Sequence, residues 1–199
     1  MFVKVCGLST PESVREAVDA GADAVGFVLT ASPRAVSPSQ AARLKADIPD
    51  GVVAVGVFRH EPVADAVTIA RAAGLEWIQL HGDLTPEDVA TVHDAGMKLF
   101  RAVTMAATAD AFADWGEELL LIDAAVPGSG ETWDYASMVD VTELQDRKWL
   151  LAGGLSPENV SRAAAASGAW GVDVSSGVEA SRGVKDLAKI RAFIEAAKG

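Results

Sequence analysis

Short apolar runs of β-forming residues alternate with amphipathic stretches along the chain, at roughly 25 residues per unit. The runs are Phe2–Cys6, Ala24–Leu29, Val52–Phe58, Trp77–Leu80, Lys98–Val103, Leu119–Asp123, Trp149–Ala152 and Gly171–Ser175. Most are nearly continuous in apolar character, as parallel strands covered on both faces are. The first differs. In Phe2-Val3-Lys4-Val5-Cys6 the period-2 geometry of a strand puts Lys4 and Cys6 on one face and the valines on the other.

The stretches between the runs repeat a phrase. Thr10-Pro11-Glu12, Thr85-Pro86-Glu87 and Ser156-Pro157-Glu158 each offer a hydroxyl N-cap, a proline in the first turn and an acid against the helix dipole, and each stretch closes on a glycine. Ser37-Pro38-Ser39-Gln40 reads as a capping box, Pro62 opens a helix ending near Gly74, and a last helix spans Val184 to Ala197. Weaker helices are expected at Thr108–Asp114 and Tyr135–Val139. An open doubly wound sheet would use the same alternation. Eight units that start on a strand and end on a helix favour a closed (β/α)8 TIM barrel with trimmed helices, one catalytic domain over residues 1–199.

Composition changes this picture little but narrows the partners. Half of the 199 residues are hydrophobic, enough for one sizeable core. The net charge of −11 argues against a nucleic-acid groove or an anionic membrane surface. An anionic ligand must therefore be held by local devices such as backbone amides or a well-placed arginine. The single cysteine makes no internal disulfide, no run is long enough to span a membrane, and no leader pattern opens the chain, so a cytoplasmic protein is expected. His60, His81 and His93 show no metal-ligand spacing, and no metal is expected.

The barrel locates function at the C-terminal ends of its strands. Gly153-Gly154 after the seventh run and Ser175-Ser176-Gly177 after the eighth fall where such barrels bind phosphate, though glycines also serve tight turns. Asp123 ends a wholly apolar run with no helix immediately behind it to cap, which suits a general acid or base. Cys6 has two readings, an inert buried thiol or a proton acceptor that needs nearby positive charge. Arg34, fixed beside Pro33, suits a carboxylate. His81 lines the mouth or packs beneath it. Asp173 and Lys4 would meet on adjacent closing strands as a buried ion pair.

Several blocks together resemble the phosphoribosylanthranilate isomerase family of tryptophan biosynthesis, in order and over essentially the whole chain. They include Lys4-Val5-Cys6-Gly7-Leu8, Gly21 to Phe27, Ser32-Pro33-Arg34, Gln79-Leu80-His81-Gly82, Gly128-Ser129-Gly130, Gly153 to Val160 and Gly171 to Glu179. The resemblance implies an Amadori rearrangement of N-(5-phosphoribosyl)anthranilate, without metal or cofactor. It implies Asp123 as the general acid that opens the sugar ring, Cys6 as the base that takes the C2 proton, and Arg34 as the group holding the anthranilate carboxylate. Gly153, Gly154, Ser176 and Gly177 would hold the phosphate, with Ser175, His81 and Asp173 as further substrate-side residues. A monomer or homodimer is expected. Two positions depart from the family pattern: a shorter loop after Asp123 that runs into Trp133-Asp134-Tyr135 where the family usually has Phe-Asp-Trp, and Arg182 where proline is common. The rival readings are the related histidine-pathway aldose–ketose isomerase, which has an aspartate where this chain has Cys6, and a barrel that only binds a phosphorylated metabolite.

Overall fold

The structure is a computed structural model that describes residues 1–126 and 132–199. Residues 127–131, which hold the Gly128-Ser129-Gly130 block and most of the loop expected to close over the site, lie outside the described residues. Eight parallel strands close into a barrel in sequence order. They are β1 (Phe2–Cys6), β2 (Ala24–Val28), β3 (Val53–Phe58), β4 (Trp77–His81), β5 (Lys98–Thr104), β6 (Leu119–Asp123), β7 (Trp149–Leu151) and β8 (Gly171–Val174). The seam between β8 and β1 places Lys4 beside Asp173, and the pairing with β2 places Cys6 beside Gly26.

Alternation along each strand separates two apolar regions. Outward residues such as Val3, Val5, Phe27 and Ile78 pack under the helices, while Ala24, Val55, Phe100, Leu121 and Leu150 fill the barrel. Near the mouth Cys6, Val28 and Val57 form a small apolar cluster of their own, and His81, Thr104, Asp123 and Asp173 bring polar side chains to the same end. Gly26 makes room for the thiol, since a Cβ at that position would lie 3.0 Å from Cys6 Sγ.

The helices α1 (Pro11–Asp19), α2 (Pro38–Lys45), α3 (Val63–Ala72), α4 (Pro86–Asp94), α5 (Val160–Ser167) and α6 (Leu187–Lys198) cover the barrel. Thr10 and Thr85 close reciprocal capping boxes with Ser13 and Asp88. Ser37 caps Gln40 N, but the expected box stays half closed because Gln40 donates to the Ser9 carbonyl instead. α5 begins at Val160 rather than at Pro157, because Asn159 is diverted to the loop before it: its side chain accepts from Ser156 N and donates to the Gly154 carbonyl. The last helix begins at Leu187, capped by Asp186, and not at Val184. Val184–Lys185 instead forms β10, paired antiparallel with β9 (Glu179–Ser181) in a small hairpin behind the mouth.

The two weak helices between β5 and β7 are replaced by 3-10 turns at Ala109–Phe112, Tyr135–Met138 and Thr142–Leu144. Long-range contacts account for the first. Arg101, 1% exposed on β5, donates to the carbonyls of Ala111 at 2.6 Å and Ala113 at 2.7 Å, and Arg147 takes that of Phe112 at 2.6 Å. Each of these carbonyls is thus satisfied by an arginine rather than by an amide four residues on. Both guanidiniums share the buried Glu117, and Arg101 lies 4.0 Å over the Trp115 ring. Among the described residues no helix is long and apolar enough to cross a membrane.

Candidate active site

The C-terminal rim of the barrel brings most of the expected residues together. Asp123 ends β6 with 8% of its surface exposed, and its Oδ1 accepts from Ala124 N at 2.8 Å. Burial, helped by the charge of Asp173, pushes its carboxyl up to about 6 against the pull of that amide, Lys4 and Arg59. A carboxyl at that value exchanges protons near neutrality, which an ordinary aspartate does not.

Cys6 is 7% exposed at the end of β1. Burial and the charge of Asp173 push its thiol above the ordinary range, and Lys4, Lys185 and Arg34 work the other way. Asp173 therefore faces both titrating groups, with Lys4 at 2.9 Å forming the pair expected from the closing strands. Burial opposes the Lys4 charge, yet Asp173 and Cys6 hold it above the usual lysine range, while burial pushes the Asp173 carboxyl up against the pull of Lys4 and Lys185.

The glycine turn after β7 needs its glycines, since Gly153 and Gly154 have φ of +83° and +66°. It is fixed from behind. Trp133 Nε1 donates to the Ala152 carbonyl at 3.0 Å and Tyr135 Oη to that of Gly153 at 2.9 Å, while Asn159 holds that of Gly154. Trp133 and Tyr135, both departures from the family pattern, thus contribute bonds that phenylalanine at the first position could not make and tryptophan at the second would make differently. After β8, a Cβ on Gly177 would lie 1.8 Å from the Leu155 carbonyl, so the Ser176–Val178 turn is pressed against the turn after β7. Gly153, Gly154, Ser175, Ser176, Asp123 and Asp173 line one small cleft of about 40 Å³.

Gly153 is also tied to the acid. A Cβ there would lie 2.5 Å from Ala124 N and 2.9 Å from Asp123 Oδ1, the two atoms of the hydrogen bond that orients the carboxyl. Gly153→Ala is expected to lower kcat by about tenfold or more through misplacement of Asp123. Steady-state kinetics test this, and an unchanged kcat would uncouple the turn from the acid.

Arg34 is not free at the mouth. Its Nε and Nη2 donate to the two oxygens of Glu179 at 2.6 and 3.1 Å, which leaves Nη1 and one Nη2 hydrogen for a ligand. Burial works against the Glu179 carboxylate, but Arg34, the Gly183 amide and Lys185 hold it below the ordinary range. Neither Glu179 nor Lys185 is among the residues that the sequence alone points to. A glutamate directly after Ser175-Ser176-Gly177-Val178 was the available signal, while Lys185 gave none.

His81 is not among the residues that line the small cleft with Asp123. It lines a cavity of about 650 Å³ over the ends of β4 and β5, with Arg59, Asp83, Thr104 and Trp115. Gln79 Nε2 lies 2.7 Å from His81 Nε2, and burial, with the charges of Lys4, Arg59 and His60, lowers the ring to about 3. His81 is therefore neutral at working pH and acts there as a hydrogen-bonding group, not as a cation. Among the described residues, no group of three or more histidine, cysteine, aspartate or glutamate side chains is arranged to hold a metal ion.

A carboxyl raised toward neutrality, a thiol on the same C-terminal rim and a paired glycine turn mark the class, a (β/α)8-barrel enzyme with its site at that face. Comparison with known proteins carries this further. The family described as N-(5'phosphoribosyl)anthranilate (PRA) isomerase matches residues 3–196. The N-(5'-phosphoribosyl)anthranilate isomerase of Paracoccus denitrificans is 43% identical, with 96% of this chain and 94% of that protein covered. The crystal structure of TrpF from Jonesia denitrificans superposes with a TM-score of 0.86 at 42% identity, over 100% of this chain and 97% of that one. A phosphoribosyl anthranilate isomerase in complex with reduced 1-(o-carboxyphenylamino)-1-deoxyribulose 5-phosphate superposes with a TM-score of 0.87 at 34% identity, over 100% and 99% of the two chains. The chain belongs to the N-(5'-phosphoribosyl)anthranilate isomerase family, enzymes of tryptophan biosynthesis.

Proposed function

We propose that the chain performs its family's rearrangement with Asp123 as general acid and Cys6 as general base. Asp123 gives its proton to the furanose ring oxygen as the C1–oxygen bond breaks, leaving a protonated Schiff base between C1 and the anthranilate nitrogen. Cys6 then takes the proton from C2, the electron pair moves into the C1–C2 bond, and the enolamine forms. Protonation at C1 and loss of the C2 hydroxyl proton give the ketone, so no atom or electron is gained or lost overall. The observation that carries this reading is the raised pKa of Asp123 at the end of an apolar strand, facing a mouth that also holds Cys6.

The remaining residues serve binding. Gly153, Gly154, Ser175, Ser176 and Gly177 receive the phosphate on backbone amides and hydroxyls, as expected of the two loops that meet in one cleft. Arg34 receives the carboxylate on the edge of its guanidinium that Glu179 leaves open. A multiply anionic ligand is thus gripped at two local sites on a chain of net charge −11. The occupant is a small phosphorylated molecule, and action in the cytoplasm as a monomer or homodimer completes the reading.

The test is turnover of phosphoribosylanthranilate generated in situ and followed by its fluorescence. The wild-type chain is expected to consume it, and Arg34→Ala to raise KM about tenfold with kcat changed less. Activity confined to the histidine-pathway substrate would overturn the assignment, and an unchanged KM in the variant would remove Arg34 from carboxylate binding.

A further inference from the structure

Lys185 ends the hairpin formed by β9 and β10 with its side chain 2% exposed, and no step of the acid–base scheme uses it. Its Nζ donates to the Ser175 carbonyl at 2.7 Å and lies 3.4 Å from Ser175 Oγ and 3.3 Å from Glu179 Oε1. These contacts bring the ammonium to the edge of the thiol's surroundings. Val5 pairs with Val174, so Cys6 and Ser175 leave their strands side by side. A Cβ on Gly7 would lie 3.3 Å from Ser175 Oγ and 2.8 Å from Arg34 Cδ.

The charged groups acting on Cys6 are Lys4 on its own strand, Asp173 on β8, Arg34 after β2 and Lys185 on β10. Glu179 on β9 bonds the last two, and Asp123 on β6 and the neutral His81 on β4 complete the mouth. Lys4 is matched by Asp173 and Arg34 by both oxygens of Glu179. With Asp123 in its protonated, proton-donating form, three cations (Lys4, Arg34 and Lys185) thus stand against two carboxylates (Asp173 and Glu179) among these described groups. Lys185 is the surplus one, because its contact with Glu179 reaches an oxygen that Arg34 Nε already holds at 2.6 Å.

We infer that Lys185 is a positioning residue for the proton acceptor, supplying the positive charge that a Cys6 thiolate balances. The inference rests on Cys6 being the base. A thiolate beside Val28 and Val57 is expensive unless its surroundings carry a compensating charge, and with Lys185 protonated the buried cluster becomes neutral when Cys6 ionises. Burial pushes the thiol up and Lys185 is among the groups that bring it down, while burial also lowers the pKa of Lys185 itself. The bland alternative is that Lys185 only ties the hairpin to Ser175.

The two are separated by titrating the thiol. The chain has one cysteine, so the pH dependence of iodoacetamide incorporation reports on Cys6 alone. Lys185→Met is expected to move the inflection up by about one pH unit or more, with kcat at pH 7 falling about tenfold and KM changing much less. Lys185→Arg is expected to keep the inflection near the wild-type value. Should the methionine variant fail to fold, Lys185→Gln, which keeps a donor toward Ser175 and removes the charge, is expected to show the same upward shift. An inflection that stays in place in the neutral variant overturns the role of Lys185. An inflection that moves while kcat at pH 7 does not change overturns instead the reading of Cys6 as the base.

Discussion

Asp123→Asn is expected to lose activity and gain stability together. The general-acid role puts the loss in kcat at about 10² or more. The gain follows from the same burial. The Asp123 carboxyl is raised from 3.8 to about 6 in the folded chain, so ionising it is harder folded than unfolded. Below the unfolded value the group is protonated in both states and costs nothing. As pH rises from about 4 to 6 the folded state is progressively penalised, and above 6 the penalty is complete at about 2 to 3 kcal/mol. Asparagine keeps an oxygen for the Ala124 amide, the bond that orients the carboxyl at 2.8 Å, without the charge. Denaturant unfolding at pH 7.5 is expected to show the variant more stable by roughly that amount, and at pH 4 the two chains should converge. A variant with wild-type turnover would remove Asp123 from the mechanism. One that is inactive and no more stable would show that the carboxylate is better solvated than its burial implies.

What could be read from the chain before folding was whatever depends on near neighbours or strand period. The Thr10 and Thr85 caps are local, and both closed as their spacing required. The Lys4–Asp173 pair was legible too, since inward alternation on the first and last strands leaves those side chains only one another. The trimmed helices were legible in their weakness but not in their form. The Ala111, Phe112 and Ala113 carbonyls are taken by Arg101 and Arg147, which lie well away in sequence. Arginine within an apolar strand was the only hint.

Around the site, the same distinction separates the atoms that face the mouth from those that hold them. Cys6, Arg34, Asp123 and the paired glycines each lie at the end of a run or in a turn signal. Their partners do not. Arg34 is aimed by Glu179, 145 positions away, and the turn after β7 is held by Trp133, Tyr135 and Asn159. No local pattern announces such contacts, because they depend on how the barrel closes. Asp173 shows what the closure adds: it is one half of an ordinary ion pair by register, yet its charge opposes ionisation of both Asp123 and Cys6. The carboxylate that anchors Lys4 thereby favours a proton on Asp123, and the cations behind the thiol oppose it at Cys6.

That opposition gives Cys6→Ala a distinctive expected result. The thiol is above its ordinary range and the Asp123 carboxyl is near 6, so the free chain at pH 7 mostly holds a proton on Cys6 and none on Asp123. The scheme needs the reverse arrangement, and kcat/KM is therefore expected to follow a bell with an acid limb near 6 and an alkaline limb at the thiol. Removing the thiol should lower kcat by about 10² or more and replace the bell with a residual rate that falls through about 6, where Asp123 loses its proton, and shows no limb at the thiol. Folding should be little affected, because one sulfur is lost from a pocket bounded by Val28, Val57 and Gly26. Cys6→Ser should be nearly as inactive, since an alcohol at that position is no base at any accessible pH. Thermal unfolding alongside the pH–rate profile separates a chemical defect from a structural one. If the alanine variant kept both the rate and the alkaline limb, the base would have to be another group at the mouth, and Cys6 would return to being a buried thiol beside a glycine turn.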